Sequence, residues 1–289
     1  MKKNDLLKKF NEIEKAYYPW LDMLQSSVDE ELGQSMDFKT YKGFQTLQGH
    51  LIKRPLVLFV GLNPGPGSFN ANENKIPDPK EGKRPHHTLF CYRRNSLRKC
   101  NGLWFDTTKP YQKHNTFVRK FVKLMDSLAD ELGLKDLEIA GIKGRDEVSN
   151  GWQWSEWIQD MVMCTNLYPF STTNESDLKK LLREMTDSPN APDHRYRGKN
   201  LWEFENAVFV KPMKQLIQLV EPRVVVCLSK KVFHNLTGDG NKTKADTNGL
   251  LLYEKDKSPI FIGLHRRKGW WVDESEGLPK LAKLIASYK

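Results

Sequence analysis

Residues 56–67 read LVLFVGLNPGPG, an unbroken apolar run that passes without a spacer into a turn locked by glycine and proline. Leu56, Val57, Leu58, Phe59 and Val60 have the pattern of a strand covered on both faces. Gly61, Gly65 and Gly67 permit positive φ or close approach of a ligand, and Pro64 and Pro66 freeze the backbone around the turn's one functional side chain, Asn63. Such stiffness around a single amide predicts that its placement matters. The competing reading is an ordinary strand-exit turn.

Three further runs share this strand character. Met161–Thr165 ends in Asn166 and Pro169, Arg223–Leu228 leads into Ser229, Lys230 and Lys231, and Pro259–Leu264 ends at His265. Helical spacing separates them: Phe117, Phe121, Leu124, Leu128 and Leu132 before Gly133, a helix from about Asn174, and Phe204 to Val220. Helical spacing also fills Asp5 to about Ser26, with a break near Pro19, and the last helix starts at about Leu278. A short helix is expected over the tryptophans of 151–159. Alternation of this kind predicts an α/β protein, a three-layer α/β/α sandwich around a central, mostly parallel sheet of four strands. One domain over residues 1–289 is expected, with a basic loop insertion at about 70–112. Ligands of such sheets bind beyond the carboxyl ends of the strands, which assigns Asn63, Asn166, Ser229 and His265 to one edge.

The net charge of +10 is concentrated. Between Lys75 and Lys120 twelve Lys and Arg face three acids, so this segment alone is +9, and Phe90, Tyr92, Trp104, Phe105 and Tyr111 lie among the charges. Cations interleaved with aromatics suit phosphates and unstacked bases, so a polyanionic partner is expected; a merely solvated basic surface is the alternative. No run reaches the roughly 18 apolar residues of a membrane span, and the Lys-rich start is not a secretory leader, so a cytoplasmic protein with no membrane partner is expected. Cys91, Cys100, Cys164 and Cys227 show no C-x-x-C spacing and read as reduced thiols. A monomer without metal or cofactor is expected.

A phosphate-cradling role for the first turn fits poorly. GLNPGPG is neither G-x-G-x-x-G nor a P-loop, and its prolines remove two of the amides that would hold an anion. At these residues the chain instead resembles the uracil-DNA glycosylase superfamily, most closely its single-strand-selective monofunctional group. Gly61-Leu62-Asn63-Pro64-Gly65-Pro66-Gly67 is similar to that group's G-M-N-P-G-P-F-G motif, and Asn166-Leu167-Tyr168-Pro169 to the N-x-x-P around its base-reading asparagine. His265 falls where the second motif begins with its histidine, although His265-Arg266-Arg267-Lys268 departs from the usual H-P-S. Ser229-Lys230-Lys231 resembles the loop that contacts the DNA backbone.

The resemblance implies a monofunctional DNA glycosylase acting on a flipped uracil or modified pyrimidine, in base-excision repair or in defence against modified phage DNA. A catalytically silent nucleic-acid binder of the same fold is the alternative. Asn63 and His265 would be catalytic, with Gly61, Leu62, Pro64, Asn166 and an aromatic, Phe90 ahead of Phe69 and Tyr92, around the base. Arg93, Arg94, Arg98, Ser229, Lys230, Lys231, Arg266, Arg267, Lys268 and Trp270 would contact the DNA, single- or double-stranded, and the protein would be nucleoid-associated. The two-faced amide of Asn166 suits uracil in one rotamer and a cytosine-type base in the other.

Overall fold

The computed structural model describes residues 3–26, 46–47, 51–63, 116–134, 142–143, 147–148, 160–170, 172, 174–238, 243–244, 249–254, 259–264 and 275–289. The whole of the basic insertion, residues 151–159 and the whole of 265–274 lie outside them. Two helices come first, α1 (Lys3–Glu14) and α2 (Tyr18–Ser26). The break falls ahead of Pro19, whose ring would collide with the carbonyl four residues back, at Lys15; in the first turn of α2 the same ring is harmless.

The apolar run at the first turn forms β1 (Val57–Gly61), buried along its length. There follow α3 (Thr116–Glu131), a two-residue hairpin pair β2 (Ile142–Lys143) and β3 (Glu147–Val148), and β4 (Val162–Asn166), also wholly buried. The asparagine predicted to open the next helix does so: the Asn174 side chain accepts from the Asp177 amide at the head of α4 (Glu175–Asp187). A single turn at His194–Tyr196 leads to α5 (Leu201–Glu205), which passes through a π-helical turn, Asn206–Val210, into α6 (Lys211–Val220). The chain ends with β5 (Val224–Cys227), α7 (Lys230–Thr237), β6 (Leu250–Tyr253), β7 (Ile260–Leu264) and α8 (Gly277–Ala286).

The main sheet has five strands, in the order β4-β1-β5-β7-β6. The four expected strands are present and mutually parallel, and the expected count of four is corrected by β6, which runs antiparallel along β7. Its burial is only partial, as befits an edge strand: Leu250 and Leu251 are buried, but Leu252 is exposed.

Period-2 alternation divides the core between two faces. Leu58, Val60, Met163, Val225 and Cys227 pack against α1, α2 and α4 to α7, while Val57, Phe59, Val162, Cys164, Val226 and Ile262 pack against α3 and α8. Phe59 meets Phe121 of α3 edge-on, with ring centroids 5.0 Å apart. Burying each such side chain contributes roughly 1.5–3 kcal/mol. Gly263 lets α7 approach β7, since a β-carbon there would lie 2.6 Å from Phe233 Cγ.

After β1 the chain moves to one side, to β4, and then returns across β1 to β5. That reversal opens a crevice at the carboxyl end of β1, the position where open α/β sheets take their ligands. Among the described residues no helix is long and apolar enough to cross a membrane.

Candidate active site

Pairing around β1 continues past the strand itself. The Leu167 amide donates to the Gly61 carbonyl at 2.9 Å, the Tyr168 amide to Leu62 at 2.9 Å, and the Leu228 amide to Val60 at 2.9 Å. Two of the predicted motifs, 61–63 and 166–168, therefore run side by side, with Gly61 directly opposite Asn166.

Asn63 is half-buried, and its orientation follows from its partners. Nδ2 donates to Thr172 Oγ1 at 3.0 Å and makes a longer contact of 3.5 Å with the Phe170 carbonyl. Thr172 Oγ1 spends its own proton on the Asn174 carbonyl at 2.9 Å, so it faces Asn63 as an acceptor. With acceptors on both contacts, the nitrogen must face the loop and the carbonyl oxygen must face away from it. Thr172 is buried, which shields this anchor from exchange with water.

The anchoring loop has an aromatic foundation. Phe209, in the π-helical turn, packs on Tyr168 at 5.0 Å, Phe204 at 5.4 Å, Phe170 at 5.7 Å and Tyr17 at 6.2 Å between ring centroids. A π turn adds one residue per turn and re-aims the side chains after it, and such turns recur at functional sites. Here it delivers Phe209 beneath the segment that carries Phe170 and Thr172.

Asn166 is 2% exposed, and its Nδ2 finds no hydrogen-bond partner among the described residues. An unmade hydrogen bond on a buried donor costs about 1–3 kcal/mol, so each such group calls for an explanation. Gly61, across the ladder, brings no side chain to answer it. Thr165 and Asn166 border a cavity of about 10 Å³, room for one water, together with Glu14, Tyr17 and Thr46. Thr46 Oγ1 donates to Glu14 Oε1 at 2.7 Å, and the Thr165 hydroxyl donates to the Thr46 carbonyl. Burial, with the Glu14 carboxylate adding to it, pushes the Tyr17 phenol well above its ordinary range.

No known family model and no curated protein matches this chain. The site is therefore read from its own chemistry. Of the residues predicted for it, the structure brings together Gly61, Leu62, Asn63 and Asn166. Ser229 caps α7, accepting from the Val232 amide at 3.2 Å. Lys231 is paired with Glu205 at 2.8 Å and lies 5.0 Å from the centre of the Tyr168 ring, so its charge is engaged inside the protein, while Lys230 stands half-exposed at the head of α7. Burial and then Glu205 raise the Tyr168 phenol far above its ordinary range, so it stays protonated. Pro64, Phe90, Arg93, Arg94, Arg98, His265, Arg266, Arg267, Lys268 and Trp270 lie outside the described residues; His265 follows directly on Leu264, the last residue of β7.

Cys164 and Cys227 are free and buried, and burial raises both thiols well above their usual range, which makes them inert as nucleophiles. Among the described residues no three His, Cys, Asp or Glu side chains gather closely enough to hold a metal ion. Thr172 is the functional side chain that sequence reading missed. Its signal was faint: a hydroxyl two residues ahead of the helix-capping Asn174.

Proposed function

We propose that the protein is a monofunctional DNA glycosylase of the uracil-DNA glycosylase type, which hydrolyses the N-glycosidic bond of a flipped uracil or modified pyrimidine. The observation that carries this reading is the fixed amide of Asn63 at the carboxyl end of β1. An amide cannot act as a base at neutral pH, but a carbonyl oxygen held in one direction positions a water by accepting its hydrogen bond. The bond from the sugar's anomeric carbon to the base breaks, and its electron pair leaves with the base. Water then adds to the cationic sugar and loses its proton to solvent or to the departing base. His265 would donate a hydrogen bond to the leaving base's oxygen; removal of such a donor costs about 2.7–4 kcal/mol of barrier. Asn166 would offer its unpaired N–H to a base acceptor, and the unmade bond gives that group a reason to be kept.

A second reading, binding without turnover, draws on the size of the cavity beside Asn166. At about 10 Å³ it has room for a water and none for a base. Incubation with oligonucleotides carrying uracil, oxidised pyrimidines or glycosylated hydroxymethylcytosine, followed by alkaline cleavage of abasic sites, separates the two. Turnover on one substrate, lost in His265→Ala, supports the enzyme. Tight, salt-sensitive binding with no cleavage of any substrate supports the silent binder.

A further inference from the structure

An open cleft of about 520 Å³ lies between α4 and the segment 198–205, apart from the amides of the candidate active site. Its lining is cationic: Lys179, Arg183, Lys199 and Lys231 face it, against Asp187 and Glu205. The pairing of these charges is uneven. Glu205 is taken by Lys231 at 2.8 Å, Lys179 has Glu175 at 3.7 Å, and Asp187 Oδ1 accepts from the Gly198 amide at 3.2 Å. Arg183 and Lys199 are exposed and have no carboxylate within 4 Å among the described residues.

Beside them stands Trp202, 62% exposed and the most exposed large hydrophobic among the described residues. Its exposure is built in. Leu201 and Phe204, three apart on a five-residue helix, turn inward onto the core, which leaves Trp202 on the opposite side. An indole displayed to solvent beside two unpaired cations fits a flat base stacked on the ring with phosphates on either side. The volume is that of a small-ligand site, enough for a nucleotide unit. An acidic peptide would use the cations but leave the indole without a stacking partner.

We infer that this cleft binds a segment of single-stranded nucleic acid, with Trp202 stacking a base and Arg183 and Lys199 holding the neighbouring phosphates. The cleft is joined to the candidate site through Lys231, which lines the cleft and also lies against Tyr168, two residues beyond Asn166. The choice of nucleic acid is in keeping with the glycosylase reading, yet the binding it describes needs no turnover.

The test is the affinity of the full chain for a fluorescent oligothymidylate, measured over a range of salt. Trp202→Ala should weaken binding about tenfold, the effect of one lost base stack, while Trp202→Phe keeps most of it. Arg183→Gln with Lys199→Gln should weaken it further and flatten the dependence on salt by about 1.4 in log–log slope, the value for two phosphates on a single strand. All three positions are exposed or at the surface, and an unchanged thermal midpoint shows that the variants remain folded. Unchanged affinity and slope in Trp202→Ala and the double variant overturn the inference, as does a polyglutamate peptide that displaces the oligonucleotide and binds Trp202→Ala as tightly as the parent. If no substrate is cleaved but the Trp202 effect stands, the glycosylase reading fails and the cleft assignment holds. Cleavage with no Trp202 effect gives the reverse.

Discussion

The two ends of the central sheet are finished in opposite ways. At the amino ends of β1 and β5, Lys53 Nζ pairs with Glu221 at 2.6 Å and donates to the Leu219 carbonyl at 2.8 Å, and Arg54 Nε pairs with Glu221 at 3.1 Å. The backbone is closed there too, with the Arg54 amide on Val220 and the Arg223 amide on Pro55. Arg54 and Glu221 both adopt left-handed conformations, at φ 56° and 53°, a strained geometry that the surrounding bonds hold. At the carboxyl ends, the Asn63 amide nitrogen is held by Thr172, and Asn166 keeps a buried donor without a partner among the described residues. Full satisfaction marks an end that holds the chain together. Polar capacity retained under burial marks an end that meets something else.

The sharpest way to break this contrast is at Asn63. Asn63→Ala should lower turnover by about 10²–10³-fold with DNA affinity nearly intact, in line with loss of a group that acts on the reacting atoms. Thr172→Val keeps Asn63 but removes its anchor, and should lower kcat by about tenfold or more through misplacement, with little change in KM. If single-turnover kinetics show both variants fully active, the carboxyl end has no special role.

Gly263→Ala acts on the packing behind that end. The new methyl would lie 2.6–2.8 Å from three atoms of Phe233, and overpacking of this kind costs about 1–3 kcal/mol, readable as a lower urea midpoint at unchanged slope. Phe233→Leu in the same chain should recover part of it.

A smaller effect is expected on α3. Burial, and then the neighbouring Asp130, raise the Asp126 carboxyl from 3.8 to about 6. Because the folded state binds this proton more tightly than the unfolded state, this group's contribution to stability is most favourable below about 4 and falls as pH rises from there through 6. Asp126→Asn should raise the thermal midpoint at pH 7, and the gain should vanish by about pH 4.

The smallest effect is at the amino end. Hydrogen bonds from Lys53 and then Arg54 hold the Glu221 carboxyl below its ordinary value of 4.5. That contribution is complete above 4.5 and is lost as pH falls through the lowered value. Glu221→Gln should leave the thermal midpoint near neutrality almost unchanged, since exposed ion pairs are weak, and should matter only in acid. A large loss at pH 7 would mean that the ion pairs carry far more of the structure than their exposure allows.

Legibility in the sequence followed the range of the forces involved. The strand around Phe59, the cap at Asn174 and the break ahead of Pro19 are local effects, written in a few adjacent residues. β6 escaped although its four residues, Leu250 to Tyr253, are all apolar: so short a run does not distinguish a strand from a helix or loop, and its antiparallel pairing with β7 is a tertiary contact. That Asn63 and Asn166 share the carboxyl edge of the sheet followed from the parallel alternation of strands and helices; that their strands are direct neighbours did not. The hydrogen bond from Asn63 to Thr172 spans 109 residues and depends on where the Phe209 aromatics set the loop, which no local pattern encodes. Trp202 was readable in principle, since Leu201 and Phe204 already define the inward side of its short helix, but tryptophans are ordinarily taken for core.

The two buried cysteines turn the sheet into its own reporter. Cys164 lies beside Phe59 on the face under α3, and Cys227 lies beside Val60 on the opposite face, so β1 has a thiol on each flank and each thiol belongs to a different layer. Neither reacts while its layer is closed. With Cys91 and Cys100 replaced, the alkylation rate of each remaining thiol would time the opening of one layer independently of the other, and show which side of the molecule loosens first on warming or in urea.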